Sequence, residues 1–388
     1  MTAMRDAAGN AFVRTRPALA LMIDSGHPGA LGALTDEHIV ATALSGEAGR
    51  AGVKTPSPDT AALRAALRRD PLSADLLRQL ATISSAGGET VSSRQLMELA
   101  QRVSRRDFLT QMWMNEAAVA DGDIDRALSH YDIALTTSKR AAPALLFPVL
   151  TRAIAIPQVS AALARYISAR RPWVDAFLTQ AIATGDPRAV AALLAKAGVR
   201  GNANAFAAAQ SGLIGSFVVH KDYAGLGDYA ATMPSADRAA IRTIDFAPAT
   251  TDGRLRPLTW ELTDDSDLGA AYQPGQGLTI RARSGTRGIV ARRILYLPTG
   301  RWRLRQHVSV VGEAQGPSVS WEAYCLDSMT SDAFWSQALP RRSGAVQSEF
   351  VVPAGCRAVE MRLVASAGMD DPNDLSMTVS KVALDRAG

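Results

Sequence analysis

The stretch DFLTQMWMNEAAVADGDIDRALSHYDIALTTSKRA, residues 107–141, decides the fold. Gly122-Asp123 divides it into two helical halves, a glycine past the end of one helix and an aspartate capping the next. In the second half Ala127, Tyr131 and Ala134 recur at i, i+4 and i+7, one face of a helix. Small alanines there let a second helix approach closely, and Tyr131 fills the space between the two. The same positions recur upstream. Ala66, Ala100 and Ala134 lie 34 residues apart, Leu63, Met97 and Tyr131 keep that interval, and Leu80 and Met114 keep it in the preceding helix. Such a period means one helix–turn–helix per repeat, so these positions are the expected repeat core. Asp70-Pro71 closes the first unit, because the residue before a proline is pushed out of helix.

Working outward, the spacing predicts paired helices over 60–69, 74–84, 92–104, 107–121 and 123–138. After Ala141 the register fails, with Pro148 where Leu80 and Met114 stood, but the helical pattern continues over 158–170, 173–184, 187–197, 205–219 and 222–232. Gly185-Asp186 repeats the turn chemistry of Gly122-Asp123. Residues 107–141 resemble the tetratricopeptide (TPR) family, departing from it where Gln111 and Asn115 replace the usual tryptophan and small residue. The resemblance implies that 58–242 is a TPR-like α-solenoid with a concave surface for a protein partner. Residues 1–57 read as a helical or irregular segment with one clear helix, from Thr35 as N-cap to about Gly49.

Residues 243–257 lose the helical period and read as a linker. From Leu258 onward the period is two. LTWEL, GLTIRAR, GIVARRILYL, GRWRLRQHVSVV, SVSWEAYCL, SEFVV, RAVEMRLVA and SMTVSKVALD are eight expected strands separated by Gly, Pro, Asp and Asn. That count and spacing predict an antiparallel β-sandwich over 258–388. In the last strand Met377 and Val379 share one face while Val382 and Leu384 have the other parity, which predicts a bulge near Ser380-Lys381.

The chain has 388 residues, 47% apolar and 20% charged, with a net charge of +5. These are ordinary values for a folded protein of two or three domains. No apolar run is long enough to span a bilayer, and Ala18–Ile23 lacks the charged-then-apolar order of a signal peptide. The expectation is a cytoplasmic protein, or one whose export segment precedes this start. Cys325 and Cys356, the two cysteines, exclude a CxxC zinc site and leave a disulfide or two inert thiols.

Leu297-Pro298-x-Gly300-x-Trp302-x-Leu304 and Val382-x-Leu384-Asp385 resemble carbohydrate-binding jelly rolls. A degenerate TPR region followed by a sandwich with Trp321-x-x-x-Cys325 and Phe350–Cys356 resembles bacterial TPR proteins associated with exopolysaccharide biosynthesis and export. That resemblance covers roughly 55–388. It implies a role in the periplasm or cell envelope and a Cys325–Cys356 disulfide, and it carries over no catalytic residue.

Chemistry is sparse. His27, His38, His130, His220 and His307 form neither HxH nor HExxH, and no P-loop, Gly-x-Ser-x-Gly or SxxK occurs. No cofactor is expected, apart from a weak calcium reading of Asp264-Asp265-Ser266-Asp267 and Asp370-Asp371-x-x-Asp374. Strand parity sends Trp302 and Trp321 to the core and leaves Tyr324 and Trp335 as surface rings suited to stacking on sugars. Between Asp267 and Glu313 there are eight arginines and no acid. Arg301, Arg303 and Arg305 share one outward face, as do Arg281 and Arg283 in their own strand. They are expected to form one basic face for an acidic polysaccharide, or a solvated face paired with acids elsewhere. No nucleic-acid motif accompanies them. The expected function is a non-catalytic scaffold or adaptor for exopolysaccharide synthesis or export, the solenoid binding protein and the sandwich contacting glycan. The alternatives are a polysaccharide-acting enzyme, which would need a carboxylate pair or a Tyr/His/Arg cluster in one cleft, and a structural scaffold that binds nothing.

Overall fold

In the computed structural model, which describes residues 16–24, 27–44, 60–198, 206–251, 253–310, 318–328, 332–368 and 374–387, helices come first and sheets second. Two units are distinguished: Met1–Leu150 with Arg171–Trp173, and Thr151–Arg170 with Val174–Gly388. Among the described residues no helix is long and apolar enough to cross a membrane.

The first unit contains α1 (Pro17–Ile23), α2 (Pro28–Leu44), α3 (Thr60–Arg69), α4 (Ala74–Ala86), α5 (Thr90–Val103), α6 (Phe108–Ala120), α7 (Ile124–Thr137) and most of α8 (Ala141–Ala153). Ala66, Ala100, Ala134, Leu63, Leu80, Met97, Met114 and Ala127 are all buried, and Tyr131 is half-buried. Asp123 caps α7 by accepting from the Arg126 amide at 2.9 Å, and Gly122 takes the positive φ of 74° that ends α6. The two polar departures in α6 bond across to α7. Gln111 Oε1 lies 2.8 Å from His130 Nδ1, and Asn115 Nδ2 donates to Ala127 O at 3.0 Å. Ala134 has no exposed surface, so Ala134→Trp is expected to overpack the α7 contact and cost roughly 1–3 kcal/mol. A chemical-denaturation midpoint equal to wild type would remove the repeat-core reading.

Arg78 of α4 is the electrostatic centre of this unit. It is 4% exposed, donates to both Asp36 oxygens at 2.8 and 2.7 Å and to Asp107 at 3.0 Å, and reaches Asp75 at 3.5 Å. It thereby ties α2, α4 and the cap of α6 together. Asp132 performs a smaller clamp, accepting from Arg171 twice at 2.7 Å and from the Trp173 indole at 2.9 Å. Thr35 differs from expectation. It lies inside α2 and its hydroxyl donates to Leu31 O at 2.9 Å, because the helix starts at Pro28, a residue pre-set for a first turn. Residues 45–49, where that helix was expected to end, lie outside the described residues.

Among the described residues the second unit holds α9 (Pro157–Ser168), α10 (Val174–Thr184), α11 (Pro187–Lys196), α12 (Ala207–Val219), α13 (Tyr223–Ala231), α14 (Ser235–Arg242) and α15 (Pro248–Thr251), and then ten strands. The strands are β1 (Glu261–Leu262), β2 (Leu268–Gln273), β3 (Gly277–Ala282), β4 (Arg287–Leu295), β5 (Gly300–Val310), β6 (Ser318–Cys325), β7 (Trp335–Ala338), β8 (Gly344–Val352), β9 (Val359–Ser366) and β10 (Leu375–Arg386). They form two antiparallel five-stranded sheets, β1-β4-β9-β6-β7 and β2-β3-β10-β5-β8. Inward residues of both sheets share one core that includes Trp260, Leu278, Ile280, Leu304, Val308, Trp321, Met361, Leu363 and Val379. The β10 register shifts between Ser380 and Ala383 with Lys381 at φ 52°, so the expected bulge is present.

The expected linker is structured. Ile244 and Phe246 belong to the sandwich core, α15 and a 3₁₀ turn at Gly253–Leu255 fill the rest, and the Phe246 ring lies 4.9 Å from Trp260. The buried Arg293 of β4 explains the anchorage. Its guanidinium donates to Ile241 O and Thr243 O at 2.7 Å and to Leu258 O at 2.9 Å, and it lies 5.2 Å from the Trp260 ring centroid. A cation is thus inserted at the carbonyl end of α14, where the helix dipole favours positive charge. Burial pushes the Arg293 pKa below the ordinary arginine value; the carbonyls and the indole face take the place of a counter-ion.

Candidate functional site

Cys325 and Cys356 form a disulfide with Cα atoms 5.6 Å apart, joining the end of β6 to the turn before β9. The loop closed between them is 31 residues, so Cys325→Ser with Cys356→Ser is expected to cost about 3 kcal/mol through the freer unfolded chain. An unchanged melting temperature under oxidising conditions would show that the bond closes nothing that needs closing. With Asp327 the two cysteines form the one group of three close metal-ligating side chains among the described residues. The sulfurs are bonded to each other and Asp327 accepts from the amides of Arg357 and Ala358, so no cation ligand set is left there. In the expected calcium cluster, Asp264 faces Arg281 at 3.9 Å and Asp267 holds Arg283 at 2.9 Å. Asp370 and Asp371 lie outside the described residues.

The five arginines are on one sheet face but do not make one basic face. Arg281 stands opposite Ser376 of β10, whereas Arg305 stands opposite Ala383 and Arg303 opposite Asp385. That offset is about 20 Å of strand at ~3.3 Å per residue. Each group also has its own acids: Glu349 of β8 takes Arg303 at 2.9 Å and Arg301 at 3.9 Å, and Asp385 takes Arg305. The paired, solvated alternative therefore describes them. Their parity was visible in sequence, but their partners come from strands β8 and β10, far along the chain.

The two expected surface aromatics are also engaged. Tyr324 has the Arg362 guanidinium 4.0 Å over its ring and donates to Glu322 at 2.6 Å; that bond to a carboxylate, with burial, raises its pKa. Trp335 is in β7, not a loop, and packs 4.9 Å from Phe350 at the edge of the core. Trp321 is fully buried, as parity required.

Trp302 is where sequence reasoning missed the site. It is only half-buried, its indole donates to Pro298 O at 2.9 Å, and one side of it opens into a groove of about 380 Å³. The groove runs between α13–α14 and the β4–β5 connection, lined by Tyr296, Leu297, Trp302, Leu384, Ile241, Arg238 and Arg242 among others. Its size is within the ~300–1,000 Å³ usual for small-molecule sites. Each wall has a local cause. Gly300 starts β5 at φ 134°, which lets the Leu297–Gly300 turn deliver Trp302. Gly227 lets α13 lie on Tyr296, since a Cβ there would meet the ring at 2.8 Å. Burial raises the Tyr296 pKa, keeping its hydroxyl a donor to Tyr223 O at 2.8 Å. Arg293 holds the end of α14, and Asp237 holds its start by pairing with Arg254. The jelly-roll-like motif Leu297–Leu304 was the sequence signal for the ring; nothing in the sequence signalled that α14 would face it.

No protein-family model matches the chain, and no curated protein matches it. Among solved structures, similarity is found to a CBM4 carbohydrate-binding module (11% identity, 31% of this chain and 76% of that one, TM-score 0.24). A complex of TmCBM61 with β-1,4-galactotriose is also similar (10% identity, 38% and 94%, TM-score 0.24), as is an IFIT1 monomeric mutant with Gppp-AAAA (14% identity, 58% and 48%, TM-score 0.27). TM-scores this low assign no ligand or partner to this chain.

Proposed function

We propose that this chain is a non-catalytic sugar-binding adaptor whose second unit holds a saccharide in the Tyr296–Trp302 groove. The observation that carries the reading is the groove wall itself. Sugars present apolar ring faces that stack on flat side chains, and here a half-exposed indole lines a cleft with Leu297, Leu384 and Ile241. The lining supports a binding role over a catalytic one. It contains no carboxylate, histidine, cysteine or lysine, and its one phenol, Tyr296, is committed to Tyr223 O. A polysaccharide-acting enzyme of the carboxylate-pair kind would need acids in that cleft. The 34-residue spacing supports a TPR-like solenoid with a protein partner for the helical part, and the two-sheet sandwich supports a jelly roll. An adaptor joining glycan to protein fits exopolysaccharide synthesis or export at the cell envelope, and the disulfide supports an oxidising compartment.

The test is a glycan array with the full chain, followed by affinity electrophoresis on the retained polymer. Trp302→Ala should weaken retention roughly three- to tenfold. Retention of no glycan by the wild type, or equal retention by a folded Trp302→Ala protein, would overturn the reading.

A further inference from the structure

Several arginines of this unit have a carboxylate partner. Arg254 has Asp237, Arg292 has Glu261, Arg303 has Glu349, Arg305 has Asp385 and Arg362 has Glu360. Arg238 and Arg242 line the groove itself and are exposed, and neither guanidinium has an ion-pair or hydrogen-bond partner among the described residues. They stand four residues apart on α14, one turn of helix, where two like charges repel and weaken the helix. The acids nearest them in sequence are engaged elsewhere: Asp237 is 6% exposed and holds Arg254, and Asp245 accepts from the Phe246 and Val382 amides. Arg293 adds a third cation at the same helix end, with carbonyls as its hydrogen-bond partners. Positive charge is therefore concentrated beside an aromatic cleft whose lining contains no acid.

We propose that the groove reads a carboxylate: its ligand is a uronic acid unit of an acidic saccharide, with the pyranose face on Trp302 and the carboxylate held by Arg238 and Arg242. This rests on the sugar-binding function proposed for the groove and adds the charge of the ligand. A planar guanidinium fork matches a carboxylate with two parallel N–H donors, and two forks one helical turn apart can grip the two oxygens of one group. The aromatic wall separates this from a plain anion site, since inorganic anions have no apolar face to bury.

The experiment uses the full chain with polygalacturonate, polyglucuronate and alginate, each beside its carboxyl-reduced neutral form. The expected result is retention of at least one uronate, weakening as salt rises, with the neutral form on the order of tenfold weaker. Arg238→Gln with Arg242→Gln, both exposed on a short helix, should bring uronate retention down to that of the neutral polymer and abolish its salt dependence. Equal binding of charged and neutral forms, sensitive to Trp302→Ala but not to the arginine changes, would overturn this inference and leave sugar binding standing. Displacement of the uronate by an equal concentration of inorganic sulfate would overturn it in favour of a plain anion site. Failure of every polymer, charged and neutral, to bind the wild type would overturn both.

Discussion

Replacing Arg293 by alanine is expected to lower the stability of the sandwich-bearing unit by about 4 kcal/mol. The side chain is fully buried and donates to three carbonyls, Ile241, Thr243 and Leu258. Its loss leaves the buried Leu258 carbonyl unsatisfied at ~1–3 kcal/mol and takes a charge-assisted bond, ~1.5–3 kcal/mol, from each of the part-buried Ile241 and Thr243 carbonyls. Relief of the buried charge opposes this, but only partly, because the carbonyls and Trp260 already replace much of its solvation. The change should appear as a lower urea midpoint followed by tryptophan fluorescence, four of the six tryptophans lying in the sandwich segment, and groove binding should weaken with it because α14 loses its anchor. Arg293→Met, which restores volume but no donors, should recover less than half of the loss. A midpoint for Arg293→Ala equal to wild type would mean that the carbonyls find water and that the anchor is ornamental.

The second large effect is expected at Arg78, in the other unit. Arg78→Met should cost roughly 3–5 kcal/mol at neutral pH, since it strands Asp36, Asp75 and Asp107 beside one another with no cation between them. The sign of the pH dependence is a distinguishing mark. Burial already raises the Asp75 pKa with Arg78 present. A carboxyl whose folded pKa lies above its unfolded value stabilises most below the unfolded value and loses that contribution as pH rises through the folded one. Removing the cation raises Asp75 further, so the variant should regain stability between pH 7 and pH 4 where the wild type gains less. If the deficit of Arg78→Met is the same at both pH values, it comes from lost packing of the arginine stem.

The repeat positions were legible in sequence because burial between helices leaves a periodic residue-size signature. Ala66, Ala100 and Ala134 could be placed without knowing their neighbours. Parity served equally well for the β10 bulge and for Trp321. Other features were hidden because they depend on partners far along the chain. Strand β2, with its Leu-Gly-Ala-Ala-Tyr-Gln sequence, has weak alternation and is held by its antiparallel pairing with β3. Strand β7 carries Trp335 at an edge and is held by β6. Residues 243–257 have the composition of a linker but supply Ile244 and Phe246 to the sandwich core, a use that periodicity cannot reveal. The arginine rows were visible and their acids were not, as Glu349 and Asp385 reach them only through strand pairing. The groove was only half legible. Its tryptophan was in a recognised motif, but parity assigned it to the core, and Arg238 and Arg242 gained meaning only when α14 was set beside it.

The core that the segment after α14 shares with the sandwich also bears on how such a chain could have been assembled. A domain that travels between genes as a cassette needs a seam that severs no packing. The apparent seam before Leu258 severs Phe246 from Trp260, two carbonyls from Arg293 and one whole wall from the groove. Recombination there would deliver a sandwich with an uncovered arginine and half a groove. The heritable module is therefore the sandwich together with the helices that cover it, and homologous exchange that preserves function should find its breakpoints upstream of α13.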